Sequence, residues 1–334
     1  MIMTVLVTGG TGFVGSHVAA RLRASGRPVR LLVRDPAKVP QVPALRDLSE
    51  LDVVVGDVTD HDSVERALDG CTAVVHAAAH VSLAEREAER AVAVNLGGTR
   101  HVVGAAAERR INAVHVSSVS VFGIGHERIS VETPLAEGGG GYTRSKVAAE
   151  RFVRDLQRDG APVSMVYPSA VLGPEIPDLN STVQGLLFWI RTPPRTSSGA
   201  SIVDVRDVAL AIELALDAPP ACWMLGGTYL PYPELRAAIA RVTGVHRRAI
   251  PMPGGMLRVA GRIGDLVKRV VPFDYPLTYE AMSMATRAAP YDSDATCRDL
   301  GLQWRPVDDT LADSIRWLAS QGDLAASYAG TLAP

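Results

Sequence analysis

The chain has 334 residues, 47% of them apolar, and 34 basic side chains against 36 acidic ones leave a formal net charge of −2. That length gives one large domain or two of ordinary size with ample core, and the charge balance carries no nucleic-acid or membrane footprint, so neither partner is expected. Cys71, Cys222 and Cys297 lie far apart and fit neither a metal spacing nor a disulfide scaffold, which points to a reducing, cytoplasmic location; the first apolar stretch, residues 1–7, is too short for a signal peptide, and no run approaches the roughly 18–20 apolar residues of a membrane helix.

Residues 4–7 read as a strand and Phe13–Ala24 as a helix, joined by Thr8-Gly9-Gly10-Thr11-Gly12-Phe13-Val14-Gly15. Glycine permits a tight turn, close approach of backbone to a pyrophosphate, and close packing of helix on strand. The helix N-terminus adds free N–H groups and a positive dipole end. Gly9, Thr11, Gly12, Phe13, Val14 and Gly15 are therefore candidates for dinucleotide binding, although the spacing is G-x-x-G-x-x-G and not G-x-G-x-x-G. Val29–Val33 is the second strand, and Arg34 follows it. An acidic side chain there binds a ribose 2′-hydroxyl, whereas arginine accommodates a 2′-phosphate. Arg34 thus favours NADP(H), with NAD(H) possible, unless it is simply a solvated surface arginine. Asp52–Val55 is the third strand. Asp57 beyond it either accepts from an adenine amino group or caps the next helix, a role open equally to Asp60 and Asp62.

Strands follow at Ala73–His76 and 113–116, with a helical stretch over 84–110 between them. Ser117-Ser118-Val119-Ser120-Val121-Phe122-Gly123 comes next, and Tyr142-x-x-x-Lys146 begins 24 residues after Ser118. A helix over 142–158 puts Tyr142 and Lys146 on one face. Tyrosine transfers protons poorly at neutral pH because its ordinary pKa is about 10. A lysine ammonium, with the positive ring of an oxidised nicotinamide, stabilises the phenolate. A serine hydroxyl then holds the substrate oxygen while Tyr142 moves the proton beside a hydride transfer. A strand at 163–167 completes this half. Its strands are continuous apolar runs, as in a parallel sheet covered on both faces, and their alternation with helices argues for a doubly wound α/β fold.

Beyond Pro168 prolines and glycines become frequent. Helices are expected at 204–217, with Asp204 as a possible N-cap, and at 233–243 and 310–320. Residues 171–334 read as a smaller substrate-binding lobe interleaved with the sheet of residues 1–170. Residues 138–141 form a flexible glycine loop. The apolar run 185–190 reads as pocket wall or core, and 85–90 as a solvated helix face. His76, His80, His101 and His115 lack the spacing of a helical metal pair, so no metal is expected. His76 reads as a packed strand-end residue, while His80 borders the substrate pocket.

The motifs T-G-G-T-G-F-V-G, G-D-V, H-A-A-A, S-S-V-S-V-F-G, Y-T-R-S-K and Y-P-S-A-V-L-G-P run in order from Thr8 to Pro174. In this the chain resembles the extended short-chain dehydrogenase/reductase superfamily, whose Rossmann fold is that of the NAD-dependent epimerase/dehydratases. V-D-V-R-D-V-A at 203–209 extends the likeness. V-R-L-L-V-R-D-P-A-K at 29–38 is most similar to dihydroflavonol-4-reductase-like and hydroxysteroid dehydrogenase-like members. The resemblance implies a catalytic set of Ser118, Tyr142 and Lys146, because the family serine stands four residues before the aromatic of its aromatic–glycine pair; Phe122 occupies a place where many members have tyrosine. It further implies Val58, Ala77, Ala78, Ala79, Pro168, Ser169 and Val171 beside the cofactor, and Asn95 in a structural role. Ser120, Phe122, Leu172 and Phe188 join His80 on the substrate side. A homodimer built from the helices at 84–110 and 142–158 is implied as well. The activity expected is an NADP-dependent oxidoreductase interconverting a secondary alcohol and a ketone on a small, rather apolar substrate. The first alternative is a nucleotide-sugar epimerase or dehydratase with bound NAD: Arg34 and the apolar 186–190 speak against it, while Arg191 and Arg195 leave it open. The second is a non-catalytic dinucleotide-binding protein, against which the intact triad argues.

Overall fold

The first half alternates strand and helix as its apolar runs require. Strand β1 (Val5–Thr8) passes through the glycine turn into α1 (Phe13–Ala24), followed by β2 (Val29–Val33), β3 (Asp52–Val55), α2 (His61–Leu68) and β4 (Ala73–His76). Next come α3 (Ala88–Val92), one π turn (Ala93–Gly97), α4 (Gly98–Glu108), β5 (Asn112–Val116), α5 (Gly141–Arg158) and β6 (Val163–Pro168). The computed structural model describes residues 4–48, 51–81, 87–123, 125–268 and 278–334, without the side chains at 194, 268, 280, 281 and 284. The start of the helix expected over 84–110, and part of the charged face at 85–90, lie outside these residues. The rest of that helix is interrupted by the π turn, which carries Asn95.

The second half contributes β7 (Ala170–Leu172), α6 (Ser181–Arg191), β8 (Pro194–Arg195), β9 (Gly199–Asp204), α7 (Val205–Asp217), β10 (Cys222–Leu225), β11 (Thr228–Pro231), α8 (Tyr232–Thr243) and β12 (Ile250–Pro251). Helices α9 (Gly254–Lys268), α10 (Tyr279–Thr286), α11 (Asp294–Leu300) and α12 (Val307–Ser320) follow.

Seven strands form one sheet in the order β10-β6-β5-β4-β1-β2-β3, and every neighbouring pair is parallel. Alternate side chains serve opposite faces. Val5, Val7 and Val75 join α1 and α7 through Val18, Leu22, Val208 and Ile212. Leu6 and Val74 join α2, α4 and α5 through Val64, Leu68, Val102 and Val153. Burial on both faces is why these strands read as unbroken apolar runs. A third cluster packs α6, α8 and α12 through Leu186, Leu235, Leu311 and Ile315. The second half thus supplies its own small core, and also a strand, β10, and a helix, α7, to the main sheet. The chain order reverses between β1 and β4, so a crevice opens there at the carboxyl ends of the strands. Among the described residues no helix is long and apolar enough to cross a membrane.

Asp204 is the N-cap of α7, as its position suggested. Its buried carboxylate accepts from the Arg206 backbone N–H at 2.8 Å, from the Arg206 guanidinium at 2.8 and 2.9 Å, and from Thr310 Oγ1 at 2.8 Å. Burial alone pushes its pKa up, but these hydrogen bonds and the guanidinium charge hold it below the ordinary 3.8. A depressed carboxylate contributes stability that is present above the unfolded-state value and lost as pH falls through the folded one. Asp204→Ala removes the cap and strands two donors, so a loss of about 2–4 kcal/mol is expected at neutral pH, shrinking toward acid pH. Urea midpoints measured across pH check this, and a loss that does not change with pH contradicts it.

Candidate active site

The glycine turn is fixed by close contacts that no side chain tolerates. Gly9 has φ +71°, and a Cβ there would lie 2.6 Å from the Ala77 carbonyl carbon and the Ala78 nitrogen. A Cβ at Gly15 would lie 2.2 Å from the Gly9 oxygen. Gly12 caps α1 without a side chain, and no acidic residue occupies the first turn. The helix therefore presents N–H groups and its positive end to a cavity of about 430 Å³ lined by Gly9, Gly12, Phe13, Val14 and Gly15. A backbone cradle of this kind fits a pyrophosphate. The cavity continues past Ala77, Ala79 and Val81 beyond β4, Val116–Ser120 at the end of β5, Tyr142 and Lys146 on α5, and Pro168–Val171 beyond β6.

Helix α5 carries Tyr142, Lys146, Glu150 and Arg154 at four-residue intervals, hence along one face. Its first turn abuts α3 so closely that a Cβ on Gly141 would lie 2.5 Å from Ala88 Cβ. Lys146 is buried and its Nζ donates to the Val116 carbonyl at 2.9 Å. Burial pulls its pKa down to about 8, against the opposing pull of the Glu150 carboxylate. Glu150 is also buried. It accepts from Ser117 Oγ at 2.8 Å, Tyr167 Oη at 2.7 Å and Arg154 Nε at 2.8 Å. Burial, and then the Glu150 charge, push the Tyr167 phenol well above its usual range. Ser118 is extended, with φ −161° and ψ 149°, and its Oγ accepts from Ser120 N–H at 3.2 Å.

Asn95 clamps two segments of the wall together. Its Oδ1 accepts from His80 N–H at 2.7 Å, and its Nδ2 donates to the His80 carbonyl at 3.2 Å and to Ser145 Oγ at 2.9 Å. Ser145 Oγ in turn donates to the Tyr142 carbonyl at 2.7 Å. The His80 ring lies 3.3 Å from Glu87 Oε2, outside the cavity lining. His76 and His115 sit on adjacent strands with stacked rings 5.4 Å apart. Burial pulls His76 down to about 3 and His115 well below its usual value, and the Lys146 charge adds to both, so both rings are neutral at physiological pH. Among the described residues no three metal-binding side chains cluster.

Other expected site residues stand outside this cavity. Arg34 is exposed at the end of β2, and the following Asp35 turns its carboxylate onto Ala37 N–H at 3.0 Å, capping a short 3₁₀ turn. Asp57 accepts from Thr59 N–H and Oγ1, both at 2.9 Å, and so closes its own turn; the residue at the N-cap of α2 is Asp60. Val58 is packed beneath α4, where a Cβ on Gly98 would meet it at 2.9 Å. Thr11 is half-buried outside the lining, and Ala78 N–H points to Thr8 Oγ1 at 3.4 Å. Phe122 is buried against the Tyr167 ring, centroids 4.9 Å apart, and lines a second cavity of about 650 Å³. Ser120 and Gly123 line both cavities. Leu172 is wholly buried in the third apolar cluster, and Phe188 is half-exposed on α6; neither lines these two cavities.

The lining also includes residues the sequence did not single out: Asn180, Ser181 and Thr182 at the start of α6, and Arg287, Ala288, Ala289 and Tyr291 after α10. One of these was within reach of sequence reasoning. Asn180 accepts from Thr182 and Val183 N–H at 3.0 and 3.1 Å, and Asn before an apolar helical run is an N-cap signal. The segment at 287–291 carries no such mark. It reaches the site through pairing of Tyr291 with Ile129, which is far away in sequence.

A match to the NAD dependent epimerase/dehydratase family spans residues 5–222. The putative dihydroflavonol 4-reductase of Synechocystis sp. is 28% identical over 331 residues, covering 95% of this chain and 94% of its own length. Sterol demethylase protein B of Methylococcus capsulatus is 28% identical over 333 residues, covering 96% and 99%. The crystal structure of gox2253 superposes with a TM-score of 0.80 at 29% identity, over 97% of this chain and 100% of that one. The family match takes in both the glycine cradle and the α5 face, and the chain belongs to the NAD dependent epimerase/dehydratase family, as an NAD(P)-dependent enzyme of the extended short-chain dehydrogenase/reductase type.

Proposed function

We propose that the protein is an NADP(H)-dependent reductase or dehydrogenase that interconverts a ketone and a secondary alcohol on a small, rather apolar substrate. The observation that carries this reading is one cavity lined by Ser118, Tyr142, a buried Lys146 and an uncapped helix N-terminus. The first-turn backbone N–H groups of Phe13, Val14 and Gly15, which have no acceptor within the helix, would hold the pyrophosphate over the turn that Gly9 and Gly12 close, while Pro168, Ser169 and Val171 would border the nicotinamide. When bound, the dinucleotide supplies or accepts the hydride. Ser118 orients the substrate oxygen by a hydrogen bond. Tyr142 gives its proton to that oxygen in reduction and takes it back in oxidation. Lys146, tethered to the Val116 carbonyl, stabilises the phenolate by its charge. Phe122, Pro134, Leu135 and Ala136 on the second cavity give the substrate side an apolar wall. The NADP(H) preference rests on Arg34, whose guanidinium is exposed at the end of β2, while the Asp35 carboxylate is occupied in its cap.

Arg287 in the lining supports a second reading, a nucleotide-sugar epimerase or dehydratase, because its charge suits a substrate phosphate. An epimerase retains NAD through purification, whereas a reductase exchanges its cofactor at each turnover. Identifying any cofactor released from the purified protein, followed by a screen of ketones and alcohols, separates the two.

Tyr142→Phe removes only the phenolic hydroxyl and is expected to lower turnover by about 10²–10⁴-fold with cofactor affinity nearly unchanged; near-normal turnover of an established substrate refutes the assigned role. Lys146, with a folded-state pKa of about 8, is cationic below that pH and neutral above it. In this reading Lys146 also hydrogen-bonds the nicotinamide ribose, so cofactor affinity in the resting enzyme is expected to fall as pH rises through about 8, and Lys146→Met to abolish that dependence; titrations across pH that show the same slope in both proteins contradict it. Hydrogen bonds from Arg34 to a 2′-phosphate contribute about 1.5–3 kcal/mol, a preference for NADP(H) on the order of 10- to 100-fold. Arg34→Asp is expected to reverse it. Equal dissociation constants for the two cofactors in the unmodified protein, at fixed ionic strength, refute the assignment.

A further inference from the structure

Helix α9 is built inside out. Of the ten large hydrophobic residues that are exposed among those described, six lie between Ile250 and Val267. On α9 itself they are Met256, Val259, Ile263, Leu266 and Val267, each between 43% and 69% exposed. Spacings of three, four, three and one residues gather them on one face. The opposite face is small or polar and packs on α10. Gly261 and Gly264 are buried there, and a Cβ on Gly261 would lie 2.5 Å from the Thr278 carbonyl oxygen. Asp265 Oδ2 accepts from Tyr279 N–H at 3.0 Å, Arg258 donates to Thr286 Oγ1 at 2.9 Å, and the Arg262 guanidinium lies 4.7 Å from the Tyr279 ring centroid. A helix on the surface of a globular protein ordinarily turns its apolar stripe to the core, so this one requires an apolar partner.

We propose that the exposed face of α9 docks on an anionic membrane surface, with the helix lying in the interface. Charge identifies the occupant. Residues 246–268 hold five cationic side chains, Arg247, Arg248, Arg258, Arg262 and Lys268, against the single Asp265, in a chain whose net charge is −2. The one carboxylate is turned inward, toward Tyr279 N–H. An apolar stripe on a segment rich in cations and lacking exposed acid is the pattern of an interfacial helix on anionic lipid. A second copy of the chain fits less well. Fifteen residues make a helix about 22 Å long and about 10 Å wide, or roughly 220 Å² of stripe, whereas a stable dimer buries about 800 Å² per partner. A two-fold contact would also bring two cationic segments together. The docked face has a direct relation to the site, because Tyr279 and Ser283 of α10 line the second cavity. Docking thus leaves only α9 and α10 between lipid and that chamber, and it holds whatever reaction the site performs.

The test is co-sedimentation of the full chain with vesicles of phosphatidylcholine alone or of phosphatidylcholine containing phosphatidylglycerol. Binding to the anionic vesicles is expected, weakening with salt and with Arg248→Glu. The double variant Ile263→Ser, Leu266→Ser should lower partitioning by about tenfold or more, with unchanged circular dichroism and cofactor affinity, since both side chains are solvent-exposed. Failure to bind anionic vesicles overturns the proposal, as does equal binding of the variant. A dimer in sedimentation velocity that the double variant dissociates, without vesicle binding, assigns the face to a second copy instead.

Discussion

A carboxylate without solvent survives only where its lone pairs are filled, and Glu150 meets that condition with three donors from three elements. Ser117 lies just beyond β5, Tyr167 belongs to β6, and Arg154 follows one turn later on α5. Leaving a buried charge unpaired costs several kcal/mol, so the two donors on the sheet side, Ser117 and Tyr167, set both the rotation and the height of α5 against the sheet. Lys146 and Tyr142 lie one and two turns before Glu150 on the same face, and their positions follow from it. The same carboxylate anchors Ser117, the neighbour of Ser118. One buried acid therefore orders all three residues proposed to handle the substrate oxygen, without touching that oxygen itself.

The start of α5 is set by a different constraint, close approach. Gly141 admits α3 against the first turn, and Asn95 ties His80 beyond β4 to Ser145, which holds the Tyr142 carbonyl. The π turn carries Asn95 into the space between the two segments. Residues that bridge elements in this way look, in a sequence, like any other polar position of an amphipathic helix. Glu150 and Ser145 gave no signal for that reason, and Asn95 stood out only through the family resemblance.

Where the controlling physics was local, the sequence was readable. Apolar runs bounded by turns marked β2, β3 and β4 at their observed limits, and G-x-x-G-x-x-G marked the turn whose geometry excludes side chains at Gly9 and Gly15. Where the physics was non-local, the reading ran out. The strand β10, four residues long and preceded by two prolines, lies where the alternation of strand and helix no longer frames such runs, yet it completes the sheet beside β6. The apolar run of α6 was readable as wall or core. Leu186 and Leu187 turn into the third cluster, while the N-terminus of the helix, at Asn180, faces the main cavity. Asp57 had two plausible roles, and Thr59, two residues on, supplies its hydrogen bonds. The near-zero net charge concealed a cationic segment at 246–268, because a sum over the chain carries no information about position.

The electrostatics of the strand ends show why an acidic residue belongs one turn below Lys146. His76 and His115 are buried beside it, and burial keeps them uncharged, so they contribute no compensating negative charge and no competing positive one. Desolvation draws the lysine toward its neutral form, and the Glu150 carboxylate is the group that opposes it. Near a value of about 8, Lys146 keeps most of its charge at neutral pH, although it is out of water. A neutral residue in place of Glu150 would remove the opposing pull and release Ser117, Tyr167 and Arg154 together. Charge on the lysine and order in the wall are thus two effects of one buried carboxylate, and neither can be altered alone at that position.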